Sequence, residues 1–378
     1  MRRRWKIIAS LVVLCIAVST GLAIAMLTAE QPPAITYEQA RLAASRSRDA
    51  EAGRYAPELL RAVESRLEEA KFAWQMENLK WSPLRDFAKT RAISLDALRL
   101  AERAGQRSIA VRDSLKSFTL SRLQAVSTKN RAFRSYYKDV PINRTLRRRA
   151  VKSEVLVKSS RAAFERGDYL TAAARVKEAG ELIDNAASQS DQYLKEYMAQ
   201  VAQWRRMAQE TIAWSARNKA SALIVDKMDR VCMLYSSGKL SRQFRIELGP
   251  NWIGGKRQRG DKATPEGRYH VSIKKGPGQT RYYKALAINY PNDADVKRFR
   301  EAKKQGQLPA SASIGGLIEI HGEGGRGENW TEGCVALTNT DMDLLFNATN
   351  VGTPVTIVGA LDPDAHKKNK HYRTINNR

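Results

Sequence analysis

From Ile7 to Leu27 the chain carries no charged residue, and Arg2, Arg3, Arg4 and Lys6 stand just before that run. A helix of about 21 residues is long enough to cross the hydrocarbon core of a bilayer. A secretory signal has a shorter apolar stretch of about 7–15 residues, so an uncleaved anchor is the first expectation. Cleavage after Ala23-Ile24-Ala25 is the alternative. Cys15 follows the bulky Leu14 inside the run, which does not suit lipid attachment. The basic flank stays on the cytoplasmic side, so the remaining chain lies outside the cell membrane.

That placement decides how the charge is read. The 378 residues carry a formal net charge of +26, which calls for an anionic partner. A chain facing outward does not meet nucleic acid, so an anionic wall polymer or membrane face takes its place. An apolar fraction of 43% and a charged fraction of 28% exclude wholesale disorder. Three widely spaced cysteines, Cys15, Cys232 and Cys334, exclude a disulfide scaffold and a four-thiolate zinc site.

Glycine divides the rest. Only 5 of the 23 glycines precede residue 221. The early part is rich in Ala, Arg, Glu and Leu and repeats apolar residues at helical spacing, as in Val63, Leu67, Ala70, Trp74 and again Tyr197, Val201, Trp204, Ala208. Breaks are expected near Gly53, Pro83, Gly105, Pro141 and Gly167. Ala52-Gly53-Arg54-Tyr55 and Arg166-Gly167-Asp168-Tyr169 look alike, which suggests a bundle or an array of helical hairpins. Arg144, Arg147, Arg148, Arg149 and Lys152 form its densest basic run, read as a solvated helix face or a docking face for an anionic surface.

From Ser221 the texture becomes strand-like. Strands are expected at 222–225, 231–235, 244–248, 267–273, 285–288, 317–320 and 354–358, with a hairpin turn at Ser236-Ser237-Gly238-Lys239 and a helix opening at Asn339 and Asp341. The divisions are then 1–29 as anchor or signal, 30–218 as a helical bundle or hairpin region, 219–360 as a mainly β catalytic domain, and 361–378 as a basic tail holding His366, His371, Lys367, Lys368, Lys370 and Arg373.

One segment carries chemistry. His321 ends a strand, a glycine-rich loop follows, and Cys334 stands after Gly333. An imidazole beside a thiol supplies the base that a cysteine nucleophile needs near neutral pH. The loop is long enough to bring the two together, and the amides of Gly333 and Cys334 can converge on an oxyanion. On residue types alone other readings stand beside this one: a buried apolar cysteine, or a metal held by His321, Glu323, Glu328 and Cys334. A phosphate loop does not fit, because no Lys-Ser or Lys-Thr follows the glycines.

His321-Gly322 and Thr331-Glu332-Gly333-Cys334 resemble the signature of the L,D-transpeptidase catalytic domains, also called YkuD-like. Lys262-Ala263-Thr264-Pro265-Glu266-Gly267-Arg268-Tyr269 is similar to the family's Thr-Pro-x-Gly-x-Tyr segment, and Val225-Asp226-Lys227 to its opening strand. The likeness covers roughly 221–360 and leaves 1–220 untouched. It implies a thioester at Cys334 on peptidoglycan stem peptides, with His321 as the proton carrier. It also implies the Gly322 carbonyl orienting the imidazole, the Gly333 and Cys334 amides at the oxyanion, and no metal or organic cofactor. Trp330, Asn329, Arg326 and Tyr283 are the candidate substrate contacts, with Tyr282 beside Tyr283 in a possible flap. The implied location is a single-pass inner-membrane protein with a periplasmic catalytic domain, or a periplasmic protein if the anchor is cleaved. Its partners are stem peptides, the inner membrane and wall-attached protein, without nucleic acid.

Two positions depart from the pattern. Glu332 stands where many relatives have His, and its charge opposes a thiolate unless it is directed away or met by a cation such as Arg326. Ala336 stands where many have an Arg linked to substrate carboxylate. The form Thr-x-Gly-Cys-Val-Ala-Leu-Thr-Asn is closer to the YafK-type branch, some of whose members hydrolyse. The readings are therefore an L,D-transpeptidase, a hydrolase of carboxypeptidase or amidase type using the same residues, or a non-catalytic wall-binding scaffold. His270 is expected to face outward from its strand, and Cys232 to sit within one.

Overall fold

The computed structural model describes residues 2–27, 30–138 and 140–364, without the side chains of residues 2–4. The tail residues from 365 onward, with both of their histidines, lie outside the described part. Helices fill the first half: α1 Arg2–Leu27, α2 Ala34–Asp49, α3 Ala52–Tyr55, α4 Pro57–Asn78, α5 Ala88–Tyr136, α6 Arg144–Glu165, α7 Tyr169–Met198 and α8 Val201–Asn218, with a 3-10 turn at Ser82–Leu84. Helix α1 is long and apolar enough to cross a membrane and has none of its apolar stretch buried in the protein.

The expected break at Gly105 does not occur, because Gly105 lies inside α5. It faces α2, where an added Cβ would meet the Ser47 Cα at an ordinary contact distance of 3.7 Å. The two similar tetrapeptides meet. Arg54 pairs with Asp168 at 2.5 Å, and Tyr55 Oη donates to the Gly167 carbonyl at 3.4 Å. The basic run on α6 is partly engaged within the protein: Arg149 donates to Asn185 Oδ1 and Lys152 pairs with Glu178.

The chain forms two compact units. One comprises Met1–Arg122 and Ser160–Ala174, with a small alanine-rich core around Ala40, Ala44, Val63, Ala97 and Ala101. The other comprises Leu123–Ser159 and Arg175–Arg378, and here helices and sheet share one apolar core. Tyr197 and Trp204 belong to it together with Leu223, Val271, Leu286 and Ile357.

The sheet has eight strands: β1 Ser221–Asp226, β2 Val231–Ser236, β3 Lys239–Arg245, β4 Gly267–Lys275, β5 Ala285–Ile288, β6 Glu319–His321, β7 Val335–Ala336 and β8 Pro354–Val358. Their spatial order is β3-β2-β1-β8-β4-β5-β6-β7. The pairs β1–β8 and β6–β7 are parallel and the others antiparallel. The third strand starts and ends earlier than expected, because the tight Ser237-Gly238 turn pairs Ser236 with Lys239 at once. Beyond it the chain leaves the ladder and touches the sheet again through a bridge of Glu247 to Ala336. Two further helices are α9 Asp293–Lys304 and α10 Asn339–Asn347. A reciprocal capping box of Asn292 and Asp295 opens α9. Thr338, not Asn339, caps α10, since its hydroxyl accepts from the Asp341 amide. This frees Asn339 Oδ1 to accept from the Glu323 amide at 2.7 Å, which fixes the start of the glycine loop.

Candidate active site

His321 ends β6, and Cys334 stands immediately before the adjacent parallel strand β7. Ile320 lies opposite Val335 and His321 opposite Ala336, so Cys334 enters the ladder level with Glu319. Alternation along a strand then places Cys334 and His321 on the same face, one alternation apart. Both are buried. The loop between them returns to the sheet because Gly324 N donates to Leu337 O at 2.7 Å and Gly327 N to Glu247 Oε1 at 2.6 Å.

The imidazole is held from two directions. His321 Nδ1 lies 2.6 Å from the Gly322 carbonyl, which can only accept, so Nδ1 carries the proton. Nε2 is then the free lone pair, and it is buried with no hydrogen-bond partner. The Tyr282 ring stacks on the imidazole at 3.5 Å with an interplanar angle of 5°, and the Trp330 ring meets it edge-on at 5.8 Å. Burial pushes the His321 pKa down to about 4 against the upward pull of the Gly322 carbonyl, with smaller downward contributions from the Arg281 and Arg326 charges. The base is therefore neutral at physiological pH.

Burial also raises the Cys334 thiol above its ordinary range. The Glu319 carboxylate adds to that, while the Glu319 amide, Arg281 and Lys256 oppose it. The resting pair is a neutral thiol and a neutral imidazole. Sγ accepts from the Glu319 amide at 3.4 Å and donates to the Leu317 carbonyl at 3.7 Å. Glu319 is thus the anion that opposes thiolate formation, and Lys275 neutralises it at 2.6 Å. Glu332 points elsewhere: it is 58% exposed and pairs with Lys262 at 2.9 Å, not with Arg326.

The turn that presents Cys334 is fixed on both sides. The Thr331 hydroxyl donates to the Cys334 carbonyl at 2.7 Å and accepts from the Gly333 amide at 3.3 Å. Gly333 has φ +121, and a Cβ there would meet the Ala263 carbonyl at 2.6 Å. That carbonyl sits on a loop held from beneath. Lys227 is fully buried, pairs with Glu266 at 2.8 Å, and donates to the Thr264 and Gly254 carbonyls. Tyr197 of α7 donates to the same Glu266 oxygen at 2.6 Å.

The expected substrate contacts take different places. Trp330 flanks the imidazole, and its Nε1 donates to Glu247 Oε2 at 2.7 Å. Arg326 lies over the Trp330 ring, its Cζ 3.5 Å from the centroid. Asn329 is turned to the backbone, accepting from Leu248 N at 3.1 Å. Tyr283 donates to Asp343 at 3.2 Å and packs against Gly322. Arg281 escaped the sequence reading. It lies over the Tyr282 ring at 4.7 Å and donates to the Tyr282 hydroxyl. Among the described residues the lysines round the site are ion-paired: Lys256 with Asp261, Lys262 with Glu332, Lys275 with Glu319 and Lys284 with Asp343. Neither Arg281 nor Arg326 pairs with a carboxylate there. His270 is exposed, and Cys232 is buried in β2 with its thiol pushed up to about 12. No group of three metal-ligating side chains converges among the described residues.

Residues 220–357 match the L,D-transpeptidase catalytic domain, YkuD. Over 108 residues the chain is 32% identical to the protein named "Putative L,D-transpeptidase YafK" of Escherichia coli K12, covering 29% of this chain and 37% of that one. The chain thus spans little more than a third of the curated relative it matches. Among solved structures, Bd1075 of Bdellovibrio bacteriovorus aligns at 21% identity over 40% of this chain and 53% of its own, with a TM-score of 0.29. L,D-transpeptidase 1 of Mycobacterium tuberculosis aligns at 16% identity over 37% and 62%, with a TM-score of 0.24.

Proposed function

With an L,D-transpeptidase catalytic domain at residues 220–357 as the premise, we propose that the protein is a membrane-anchored cysteine L,D-transpeptidase facing the periplasm and acting on peptidoglycan stem peptides. The observation that carries this reading is the state of His321. Its Nδ1 proton is fixed on Gly322 O, and its Nε2 lone pair is buried, unpartnered and on the same sheet face as Cys334.

In the proposed reaction the Cys334 thiol turns from the Leu317 carbonyl to His321 Nε2, which takes its proton as Sγ attacks the carbonyl after the L-centre of the stem's diamino acid. The Gly333 and Cys334 amides hold the oxyanion. The Gly333 amide exchanges its long bond to Thr331 for that role. Imidazolium then protonates the leaving D-amino acid, giving a thioester at Cys334. An acceptor amine attacks the thioester, gives its proton to Nε2 and restores the thiol. The Tyr282 stack and the Trp330 edge keep the base dry and aligned.

Arg281 and Arg326 take the part that Ala336 cannot. Two guanidiniums, each laid on an aromatic ring that touches His321, offer paired donors to the stem carboxylate. Trp330 lines the approach, Tyr283 braces Gly322 behind the imidazole, and Asn329 shapes the loop beside it.

Full-length protein in detergent, incubated with purified muropeptides and analysed by mass, tests the reading. A product larger than the donor, absent with Cys334→Ala, is expected. Trimmed stems alone identify water as the acceptor and a hydrolase. Products unchanged by Cys334→Ala refute both enzymes.

A further inference from the structure

The compact unit that contains α1 exposes large apolar side chains at one end. Phe72, Met76 and Leu79 fall at helical spacing along and just past the end of α4, with exposures of 64%, 46% and 80%. Trp81 and Leu84 follow at 54% and 67% round the 3-10 turn, and Ile35 at the start of α2 is 76% exposed.

The chain's own contacts place that end beside the close of the apolar helix. The 3-10 turn Ser82–Leu84 comes into contact with α1. Glu30 accepts from the Phe87 amide at 2.9 Å and pairs with Arg91 at 2.6 Å, at the start of α5. Glu30 comes three chain steps after Leu27, a reach of at most about 10 Å. Tyr37 of α2 packs edge-on against Trp74 of α4 at 5.6 Å, which brings Ile35 to the same end.

We propose that residues 72–85, with Ile35, form a second membrane contact: a wedge seated in the interfacial layer of the leaflet from which α1 emerges. The proposal rests on α1 being a membrane span. If α1 crosses the bilayer, Leu79, Trp81 and Leu84 stand at headgroup depth, where apolar side chains gain burial and an amphipathic indole is favoured. Lys71, Lys80, Arg85 and Lys89 stand within or beside these residues in sequence, and basic side chains there suit anionic headgroups; Lys71 lies 4.0 Å from Glu68, and Arg85 also donates to the Lys80 and Asn78 carbonyls. The anions at this end are Glu77, which Lys80 holds at 2.7 Å, Glu30, which Arg91 holds at 2.6 Å, and the exposed Asp86. One span alone leaves a domain free to swivel; a second contact fixes its tilt.

The test uses full-length protein in vesicles of phosphatidylcholine and phosphatidylglycerol, with phosphatidylcholine brominated near the glycerol as a shallow quencher. The emission of Trp81 is the difference between wild type and Trp81→Phe, and those of Trp5 and Trp252 are obtained in the same way. Brominated lipid is expected to remove more than half of the Trp81 emission and none of that of Trp252, which is 2% exposed within the core. Leu79→Ser with Leu84→Ser, keeping Trp81, is expected to restore that emission at least partly. Trp81 emission untouched by brominated lipid but quenched by aqueous iodide overturns the proposal. Emission insensitive to both overturns it too, in favour of a second copy of this chain on this face. Trp5 emission untouched by brominated lipid overturns the membrane span itself, and the wedge with it.

Discussion

Replacing Tyr282 by alanine should move the acid limb of the acylation rate by a predictable amount. The imidazole of His321 is held neutral down to about pH 4, chiefly by burial, and the stacked Tyr282 ring forms one wall of that burial. Opening this wall to water returns the base toward its ordinary value of about 6.5. Only the neutral base accepts the thiol proton. At pH 5 a base with a pKa of about 4 is about 90% competent, and one of about 6.5 is about 3% competent, a difference of roughly 30-fold. At pH 8 both are fully neutral, so this protonation effect vanishes there and any remaining loss reports alignment. The assay is the second-order rate of covalent capture of Cys334 by a carbapenem-type β-lactam, followed by intact mass from pH 4 to pH 8. An acid limb near 6.5 in the wild type, or identical limbs in the two proteins, would refute the reasoning.

Four other outcomes follow from the geometry. Because the folded-state pKa of His321 is depressed, the fold loses stability as pH falls from about 6.5 to about 4, by about 3 kcal/mol; the wild type minus His321→Gln difference in urea unfolding should shrink through that window and stay constant above it. Lys227→Met leaves Glu266 buried without its cation, and thermal unfolding should register about 3–5 kcal/mol of lost stability. Gly333→Ala forces a Cβ into the Ala263 carbonyl in a left-handed backbone region, so acylation of Cys334 should collapse even where circular dichroism shows a folded domain. Arg281→Gln and Arg326→Gln should raise KM for a stem peptide with a free carboxylate about tenfold or more, and leave the corresponding carboxamide unaffected, since a charge-assisted bond contributes about 1.5–3 kcal/mol. An equal rise for both peptides would rule out the carboxylate role.

The chemistry-bearing segment was legible because its residues are few and close in sequence: His321-Gly322 and Gly333-Cys334 bracket one loop, and adjacent parallel strands bring its ends together. The aromatic walls were not. Tyr282 and Tyr283 are neighbours in sequence, yet their side chains part, one stacking on His321 and the other reaching Asp343. The strand after them was expected at 285–288, where β5 lies, but both tyrosines stand in the irregular segment before it, where no alternation fixes which side chain faces the site. The strand β7 is two residues long and exists only because Ala336 bridges Glu247 and pairs with β6, so no local periodicity announces it. Gly105 misled for the opposite reason: a single glycine inside a long helix reads in sequence like one that breaks it. The anion opposing the thiol was sought at Glu332, the neighbour in sequence, and is Glu319, the neighbour across the strands.

The most direct test of the central claim is the intact mass of the full-length protein during turnover of a stem tetrapeptide. The account predicts a transient mass gain equal to the stem less its terminal D-amino acid, mapped to Cys334, discharged by hydroxylamine, slowed in His321→Ala and absent in Cys334→Ala. Turnover of the peptide without that thioester, or with the acyl group on another residue, would contradict it.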